Sequence, residues 1–234
     1  MNQPRDGGLT CRNLVVERAG TTVVRGVSLI AAPGEVTVLL GANGAGKTTL
    51  LEGLSGLAPA RAGTVLLAGR DLTRLSPGRR ARAGLCHVQQ GHPVFGGLTV
   101  EENLLVAAPS ARVEEAYAFF PELAPLRQRS AGLLSGGEQQ MLTIAQAILS
   151  RPQAVLLDEV SLGLAPAVVR RLLPRVRELA DQGLAVLLVE QFAHLALPIG
   201  DRAYVLAKGT VVFEGACQEL MSDDQVLHSA YLRT

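Results

Sequence analysis

The sequence predicts an α/β protein whose core is a parallel β-sheet, with an N-terminal antiparallel β subdomain and an inserted helical subdomain. Three observations support this class. Continuous apolar runs such as VTVLL and GLAVLLV are typical of parallel strands that are covered on both faces. Short β-type segments separated by turn residues fill residues 9–40. Residues from about 98 to 150 have a more helical pattern.

Local patterns predict the individual elements. Leucines with helical spacing follow the stretch GANGAGKTT, which therefore lies between a strand and a helix. The stretches TVEE (99–102) and SGGE (135–138) each fit the capping box that opens a helix. A terminal hairpin that turns at Lys208 and Gly209 is expected from AYVLAKGTVVFEG. Further strands are predicted near TVLLAG, CHVQQ, AVLLDE and VLLVEQ.

Length, composition and charge narrow the function classes. A chain of 234 residues that is 48% hydrophobic can bury a substantial core and suits one domain with an inserted lobe. The net charge is +1 and no basic run is present, so we expect no nucleic-acid partner. Isolated cysteines and a start without signal-peptide character favour a reducing cytoplasm. No apolar stretch reaches the roughly 18 residues of a membrane span, so the chain is not expected to cross a bilayer itself.

Residues 41–48 carry a specific phosphate-binding motif. They match G-x-x-x-x-G-K-[ST] between a buried strand and a helix, whereas the weaker alternative is a glycine-rich turn that only starts a helix. In such a P-loop, backbone N–H groups and the helix N-terminus surround phosphates, the lysine reaches the terminal phosphates, and the Thr hydroxyl binds Mg²⁺. The sequence therefore predicts a P-loop NTPase (RecA-like) core that binds the phosphates of a nucleotide together with Mg²⁺. Its predicted phosphate-binding residues are Gly41, Asn43, Gly44, Ala45, Gly46, Lys47, Thr48 and Thr49.

A pair of carboxylates ends the predicted strand AVLLDE. Asp158 is placed to hold the Mg²⁺ shell, and Glu159 is placed beside it to polarise an attacking water. Taken alone, such a pair also fits a surface turn. Together with the phosphate-binding loop, it predicts hydrolysis of a nucleoside triphosphate.

The stretch LSGGEQQ (134–140) points to one P-loop family. Ser135, Gly136 and Gly137 before a helix make a second anion site, and Ser135 also caps that helix with Glu138. With the P-loop and the carboxylate pair, this stretch resembles the signature of ATP-binding cassette (ABC) ATPases. The resemblance implies one ABC ATPase domain over residues 9–234, with a helical subdomain at about 91–150 and an N-terminal extension at 1–8.

The resemblance also implies an arrangement of subunits and further site residues. In the family, two ATPase subunits form a head-to-tail dimer, and each ATP lies between one P-loop and the other subunit's signature. Gln90 in VQQGHPVF aligns with the family's Q-loop, which links Mg²⁺ to the helical lobe. Gln191, after the strand VLLVE, takes the place of the switch histidine that contacts the γ-phosphate.

Finer details resemble the ATPase subunits of branched-chain (hydrophobic) amino acid importers. The stretches that carry this are GANGAGKTTLL, LSGGEQQML, SLGLAP (161–166) and LVEQ (188–191). Importers of urea or short amides share much of the pattern. The implied partners are a second ATPase subunit, identical or not, two transmembrane permease subunits and, indirectly, an extracytoplasmic solute-binding protein. The implied location is the cytoplasmic face of the inner or plasma membrane.

Some residues depart from the family pattern. No aromatic residue precedes Phe95, so adenine stacking must be weak or come from Arg18 or an aliphatic surface. Val160 replaces the proline that usually follows the catalytic glutamate, and Gln191 donates a hydrogen bond but cannot be protonated. These departures leave open an alternative, a weakly catalytic cassette that binds ATP as a regulator.

The helical pattern formed by Val113, Ala116, Tyr117 and Phe120 fits two interpretations. The family's membrane contact falls at about residues 90–125, so this face is a candidate contact surface. Its simpler interpretation is the core of the lobe. Chromosome-maintenance ABC ATPases are not favoured, because no sustained heptad pattern lies between Lys47 and Ser135. Translation-type ABC factors carry two cassettes, and this chain has one.

Overall fold

The structure is a computed structural model that describes residues 8–91 and 94–222. The predicted N-terminal extension therefore lies, apart from Gly8, outside the described residues. The strands are β1 Leu9–Arg18, β2 Thr21–Ala31, β3 Val36–Leu40, β4 Ala60–Leu67, β5 Arg70–Asp71, β6 Leu85–Val88, β7 Ala154–Asp158, β8 Ala185–Val189, β9 Arg202–Ala207 and β10 Thr210–Ala216. The α-helices are α1 Lys47–Ser55, α2 Pro77–Arg82, α3 Val100–Ala107, α4 Val113–Phe119, α5 Gly136–Leu149, α6 Pro166–Asp181, α7 Ala193–Ala196 and α8 Cys217–Ser222.

Two sheets organise these elements. The larger has the order β10-β9-β3-β8-β7-β6, and every neighbouring pair in it is parallel except the terminal hairpin β9–β10. The smaller sheet, β2-β1-β4-β5, is antiparallel throughout. Crossovers from β3, β6, β7 and β8 carry helices, as parallel strands require. The predicted α/β class with an N-terminal antiparallel subdomain is confirmed.

The central strands are buried on both faces, which explains why they are apolar without alternation. In β3, Val36, Val38 and Leu40 pack into one hydrophobic cluster, while Leu39 packs into the other. The same division holds for β8, where Val186 and Leu188 lie on one side and Leu187 on the other. Continuous burial of this kind is the reason that such runs predict parallel strands.

The helices α3, α4 and α5 lie between β6 and β7 in the chain. Both predicted capping boxes are present: Thr99 with Glu102 opens α3, and Ser135 with Glu138 opens α5. The pattern that begins at Val113 faces the core of this region, since Val113, Ala116 and Phe120 are buried and Tyr117 is partly buried. Its interpretation as lobe core is confirmed, and the bounds 91–150 stay a prediction.

The terminal hairpin turns at Lys208 and Gly209, as predicted. Both residues have positive φ, and a Cβ on Gly209 would lie 1.9 Å from the Val23 carbonyl oxygen. The Gly209 N–H donates to the Ala45 carbonyl at 3.0 Å. This turn therefore packs against the loop between β3 and α1, and only glycine fits its second position. No helix among the described residues is both long and apolar enough to cross a membrane.

A buried guanidinium holds the end of α1. Arg80 is 3% exposed and donates to the carbonyls of Gly53 and Leu54 at 2.8 and 2.6 Å, which belong to the last turn of α1. It also donates to the carbonyls of Thr73 and Leu75. Helix C-termini expose unpaired carbonyls with partial negative charge, so a cation satisfies and stabilises this one.

We expect Arg80→Ala to lower the free energy of unfolding by about 3 kcal/mol, because buried carbonyls then lack a donor. The matched control is Arg79→Ala, which removes the exposed neighbouring arginine and should change stability by less than about 0.5 kcal/mol. Urea denaturation followed by circular dichroism measures both. Equal stability of the two variants would contradict the capping role.

Candidate functional site

The loop between β3 and α1 follows a path that two glycines make possible. A Cβ on Gly41 would lie 2.4 Å from the Leu206 carbonyl oxygen, so the chain passes β9 too closely for a side chain. Gly46 has φ 105° and is the residue before α1. Such left-handed backbone favours glycine, and it turns the first N–H groups of α1 toward the loop.

Lys47, the first residue of α1, is held inside this loop. Its side chain is 5% exposed, and its ammonium donates to the carbonyls of Gly41 and Ala42 at 2.8 and 3.3 Å. It also forms an ion pair with Glu159 Oε1 at 3.3 Å. A buried ammonium is stable only when it is paired and hydrogen-bonded, and both conditions are met here.

Glu159 follows β7 with the backbone in the left-handed region, at φ 48°. Its N–H donates to the Val189 carbonyl at 2.9 Å. Its second carboxylate oxygen accepts a hydrogen bond of 3.2 Å from Gln90 Nε2, so one carboxylate contacts both Lys47 and Gln90. A non-glycine residue with positive φ stores backbone strain, and such residues cluster at functional sites.

Asp158, the last residue of β7, directly precedes Glu159 and is 1% exposed. Neither of its carboxylate oxygens has a hydrogen-bond partner among the described residues. Burial raises the pKa of the Asp158 carboxyl to about 6; the neighbouring Thr48 hydroxyl opposes that rise without reaching hydrogen-bond geometry. This buried carboxylate and the neighbouring Thr48 hydroxyl supply oxygen donors that suit Mg²⁺, and the Gln90 amide contacts the adjacent Glu159 carboxylate. The residues present therefore fit the predicted metal.

A cavity of about 520 Å³ opens over the loop, and it brings most of the predicted site residues together. Gly41, Ala45 and Asp158 are not among the residues that line it. Arg18, the predicted neighbour of the base, lines the cavity together with Leu162 of the SLGLAP stretch and with Val23, which no sequence motif singles out. The predicted residues that line it are Asn43, Gly44, Gly46, Lys47, Thr48, Thr49, Gln90, Glu159 and Gln191.

The signature residues lie elsewhere. Ser135, Gly136 and Gly137 do not line the cavity. Ser135 caps α5, with its hydroxyl accepting from the Glu138 N–H, so the capping interpretation is confirmed. Gly137 packs against α6, since a Cβ there would lie 2.7 Å from Val168, whereas a Cβ on Gly136 would meet nothing closer than 3.7 Å. One signature glycine is therefore required by packing, and the other leaves an open approach to the N-terminus of α5.

A glycine-rich loop between strand and helix, a buried lysine and a carboxylate pair define a P-loop nucleotide-binding protein. The sequence profile of the family described as ABC transporter matches residues 24–161. The chain therefore belongs to the ABC transporter family, as the sequence predicted, and it is an ATP-binding cassette whose ATPase activity is coupled to transport.

Two curated relatives carry names from one kind of transport system. The chain is 39% identical over 213 residues to the high-affinity branched-chain amino acid transport ATP-binding protein BraG of Pseudomonas aeruginosa, covering 88% of this chain and 91% of that one. It is 40% identical to the probable branched-chain amino acid transport ATP-binding protein LivF of Archaeoglobus fulgidus, covering 81% and 84%. A more distant relative, at 33% identity and covering 93% and 94%, is the lipopolysaccharide export system ATP-binding protein LptB of Escherichia coli.

Solved structures of the same family have this fold. The ADP conformation of an ATP-binding cassette of an ABC transporter superposes with a TM-score of 0.85 at 28% identity, covering 95% of this chain and 97% of that one. A nucleotide-free ATP-binding cassette has a TM-score of 0.85 at 27% identity, covering 94% and 97%. The predicted fold class is confirmed by both.

The residues that line the cavity predict weak discrimination between the bases of ATP and GTP. Because Arg18 and Val23 line it and none of its described lining residues is aromatic, we expect ATP and GTP to bind with affinities within about tenfold, or roughly 1.4 kcal/mol. Lys47→Ala should weaken both together, while the control Arg171→Ala, on the exposed face of α6, should weaken neither. Competition binding with a fluorescent nucleotide measures this. A strong preference for adenine would contradict loose recognition of the base.

Proposed function

We propose that the chain is the ATP-hydrolysing subunit of an ABC importer of branched-chain or other hydrophobic amino acids. It acts at the cytoplasmic face of the membrane on two permease subunits, which an extracytoplasmic binding protein supplies with solute. One observation carries the hydrolytic part: Glu159 contacts both Lys47 and Gln90 at a P-loop cavity. The proposed class of transported solute rests on the names of two relatives at 39% and 40% identity.

The predicted site residues have distinct proposed roles in hydrolysis. The N–H groups of the P-loop and the Lys47 ammonium bind the β- and γ-phosphates. The Glu159 carboxylate leaves its ion pair with Lys47 and orients and polarises the attacking water. Gln90 and Gln191 approach the γ-phosphate from neighbouring loops. Thr48, Asp158 and Gln90 would hold Mg²⁺, which would supply positive charge to neutralise developing phosphate charge.

The completed site requires a second subunit. Since Ser135, Gly136 and Gly137 do not line the cavity, their N–H groups serve the nucleotide on another cassette, identical or not. The open approach at Gly136 suits a phosphate at the N-terminus of α5. ATP then lies between the P-loop of one subunit and the signature of the other, and its hydrolysis separates them.

A second groove is the proposed contact with the permease. It has a volume of about 540 Å³ and lies between α2, β6 and α5. Leu57 and Phe95 line it, and both are large apolar side chains with about half of their surface exposed. An apolar groove of this kind accepts the apolar face of a helix. We assign it to a cytoplasmic helix of a permease subunit.

Two other assignments have support. The LptB relative favours an exporter, at the lower identity of 33%. The change of the usual proline to Val160 favours a weakly catalytic regulatory cassette. Purification of the chain with its membrane subunits, followed by ATPase assays with candidate solutes, separates these. Stimulation by branched-chain amino acids with their binding protein supports the import proposal; stimulation by a lipid substrate, by urea or short amides, or no turnover at all, contradicts it.

Glu159→Gln keeps the shape of the side chain and removes the base, so we expect turnover to fall by about 10²- to 10⁴-fold. ATP binding should survive, and an ATP-bound dimer should accumulate in size-exclusion chromatography. The control Glu178→Gln, at a partly exposed ion pair on α6, should leave both unchanged. Near-normal hydrolysis by the Glu159 variant would remove this residue from the proposed role.

Gln191 predicts a characteristic pH dependence. A histidine at this position would titrate near pH 6.5, whereas the Gln191 amide carries no such proton. We therefore expect no contribution from this residue to the pH–rate profile between about pH 6 and 8, and a new inflection there in Gln191→His. Gln191→Ala should slow hydrolysis while nucleotide binding persists. An unchanged rate in the alanine variant would show that the position has no switch role.

A further inference from the structure

A buried carboxylate lies directly before Gln191 and does not reach the cavity. Glu190 is 1% exposed, and both of its carboxylate oxygens accept hydrogen bonds from one residue. The Ser161 N–H donates to Oε1 at 3.1 Å, and the Ser161 hydroxyl donates to Oε2 at 2.7 Å. Burial raises the pKa of the Glu190 carboxyl, and the two Ser161 donors oppose that rise. Burying such a group is costly, so its placement calls for an explanation.

Ser161 and Glu190 connect the two loops that carry the proposed catalytic residues Glu159 and Gln191. Asp158 pairs with Val189 in the parallel register of β7 and β8, so both chains leave the sheet side by side. The Glu159 N–H donates to the Val189 carbonyl at 2.9 Å. Together with the two bonds between Ser161 and Glu190, three hydrogen bonds join the loop after β7 to the end of β8 and the loop that follows it.

Ser161 is a buried residue that lies between two residues that line the cavity. It is 6% exposed, while Glu159 two residues before it and Leu162 directly after it both line the cavity. Val160 is buried in the hydrophobic core and anchors the same turn by its apolar side chain. Glu159 has a positive φ, which is a strained conformation, so other contacts must hold the turn that follows it. The Glu190 carboxylate supplies the polar contact by accepting hydrogen bonds from Ser161.

We infer that Glu190, acting through Ser161, is a positioning residue for hydrolysis that fixes Glu159 relative to Gln191. The inference rests on the roles proposed above for those two residues. A displacement of about 1 Å in a positioned group is enough to slow an enzyme strongly without loss of substrate binding. The carboxylate therefore acts on turnover rather than on nucleotide affinity, since the P-loop lies on a different strand.

Three single variants and one double variant test the hydrogen bonds. Glu190→Ala removes both acceptors, and Ser161→Ala removes one donor; each should lower kcat about tenfold while KM for ATP stays within about threefold. The double variant should be no slower than Glu190→Ala alone, because the pair acts as one unit. Glu190→Gln should retain at least about a third of kcat, since its carbonyl accepts from the Ser161 N–H and its NH₂ donates to the hydroxyl oxygen.

A matched control separates positioning from stability. Tyr204→Phe removes a buried hydroxyl that bonds Ile30 N–H and Glu214 and does not line the cavity. It should lower the melting temperature and leave kcat unchanged. All rates are measured well below the melting temperature of each variant, and nucleotide affinity is measured to verify the P-loop. If Glu190→Ala does not fold, Ser161→Ala and Glu190→Gln give the same test.

Wild-type kcat in folded Ser161→Ala and Glu190→Ala, with only the melting temperature lowered, would overturn the inference. Glu190→Gln as slow as Glu190→Ala would also overturn it, because the charge rather than the hydrogen bonds would then matter. Glu159→Gln is measured in the same assay. Normal turnover in that variant would contradict the proposed function itself, and the two failures are thereby distinguished.

Discussion

Parallel pairing of β3, β7 and β8 is the constraint on which the site depends. Parallel strands end at the same edge of a sheet, so the segments after Leu40, Asp158 and Val189 leave it side by side. Each segment brings a different polar group: the phosphate-binding loop, the Glu159 carboxylate and the Gln191 amide. Both faces of the sheet pack into hydrophobic clusters, and this close packing leaves the exits of the strands little freedom.

The same edge of the sheet brings charged side chains close together in a buried site. Lys47 and Glu159 pair beside the buried Asp158, whose carboxylate lacks a partner among the described residues. The site therefore has an acceptor for a cation and donors for an anion before any ligand binds. Mg²⁺ and the phosphates of ATP complement this distribution, which explains why such an arrangement is tolerated in the core.

Sequence reasoning predicted the features that local chemistry determines. The P-loop, both capping boxes and the turn at Gly209 follow from short motifs, and the structure contains them. Contacts between distant residues could not be predicted in this way. Arg80 reaches α1 from a separate helix, and Ser161 meets Glu190 across two strands, because tertiary packing brings together residues that are 26 to 29 positions apart. The roles of the site residues stay predictions, since geometry places groups together without showing turnover.

The central claim is that ATP is hydrolysed between the P-loop of one subunit and the signature of another. Hydrolysis by a mixture of Lys47→Ala and Gly136→Asp chains tests it most directly, since a Gly136 side chain has room and an added carboxylate repels phosphate. Each variant alone should be inactive, and the mixture should recover activity, because one mixed site keeps both an intact P-loop and an intact signature. An inactive mixed dimer of the two folded variants, or full activity of Gly136→Asp alone, would contradict the account.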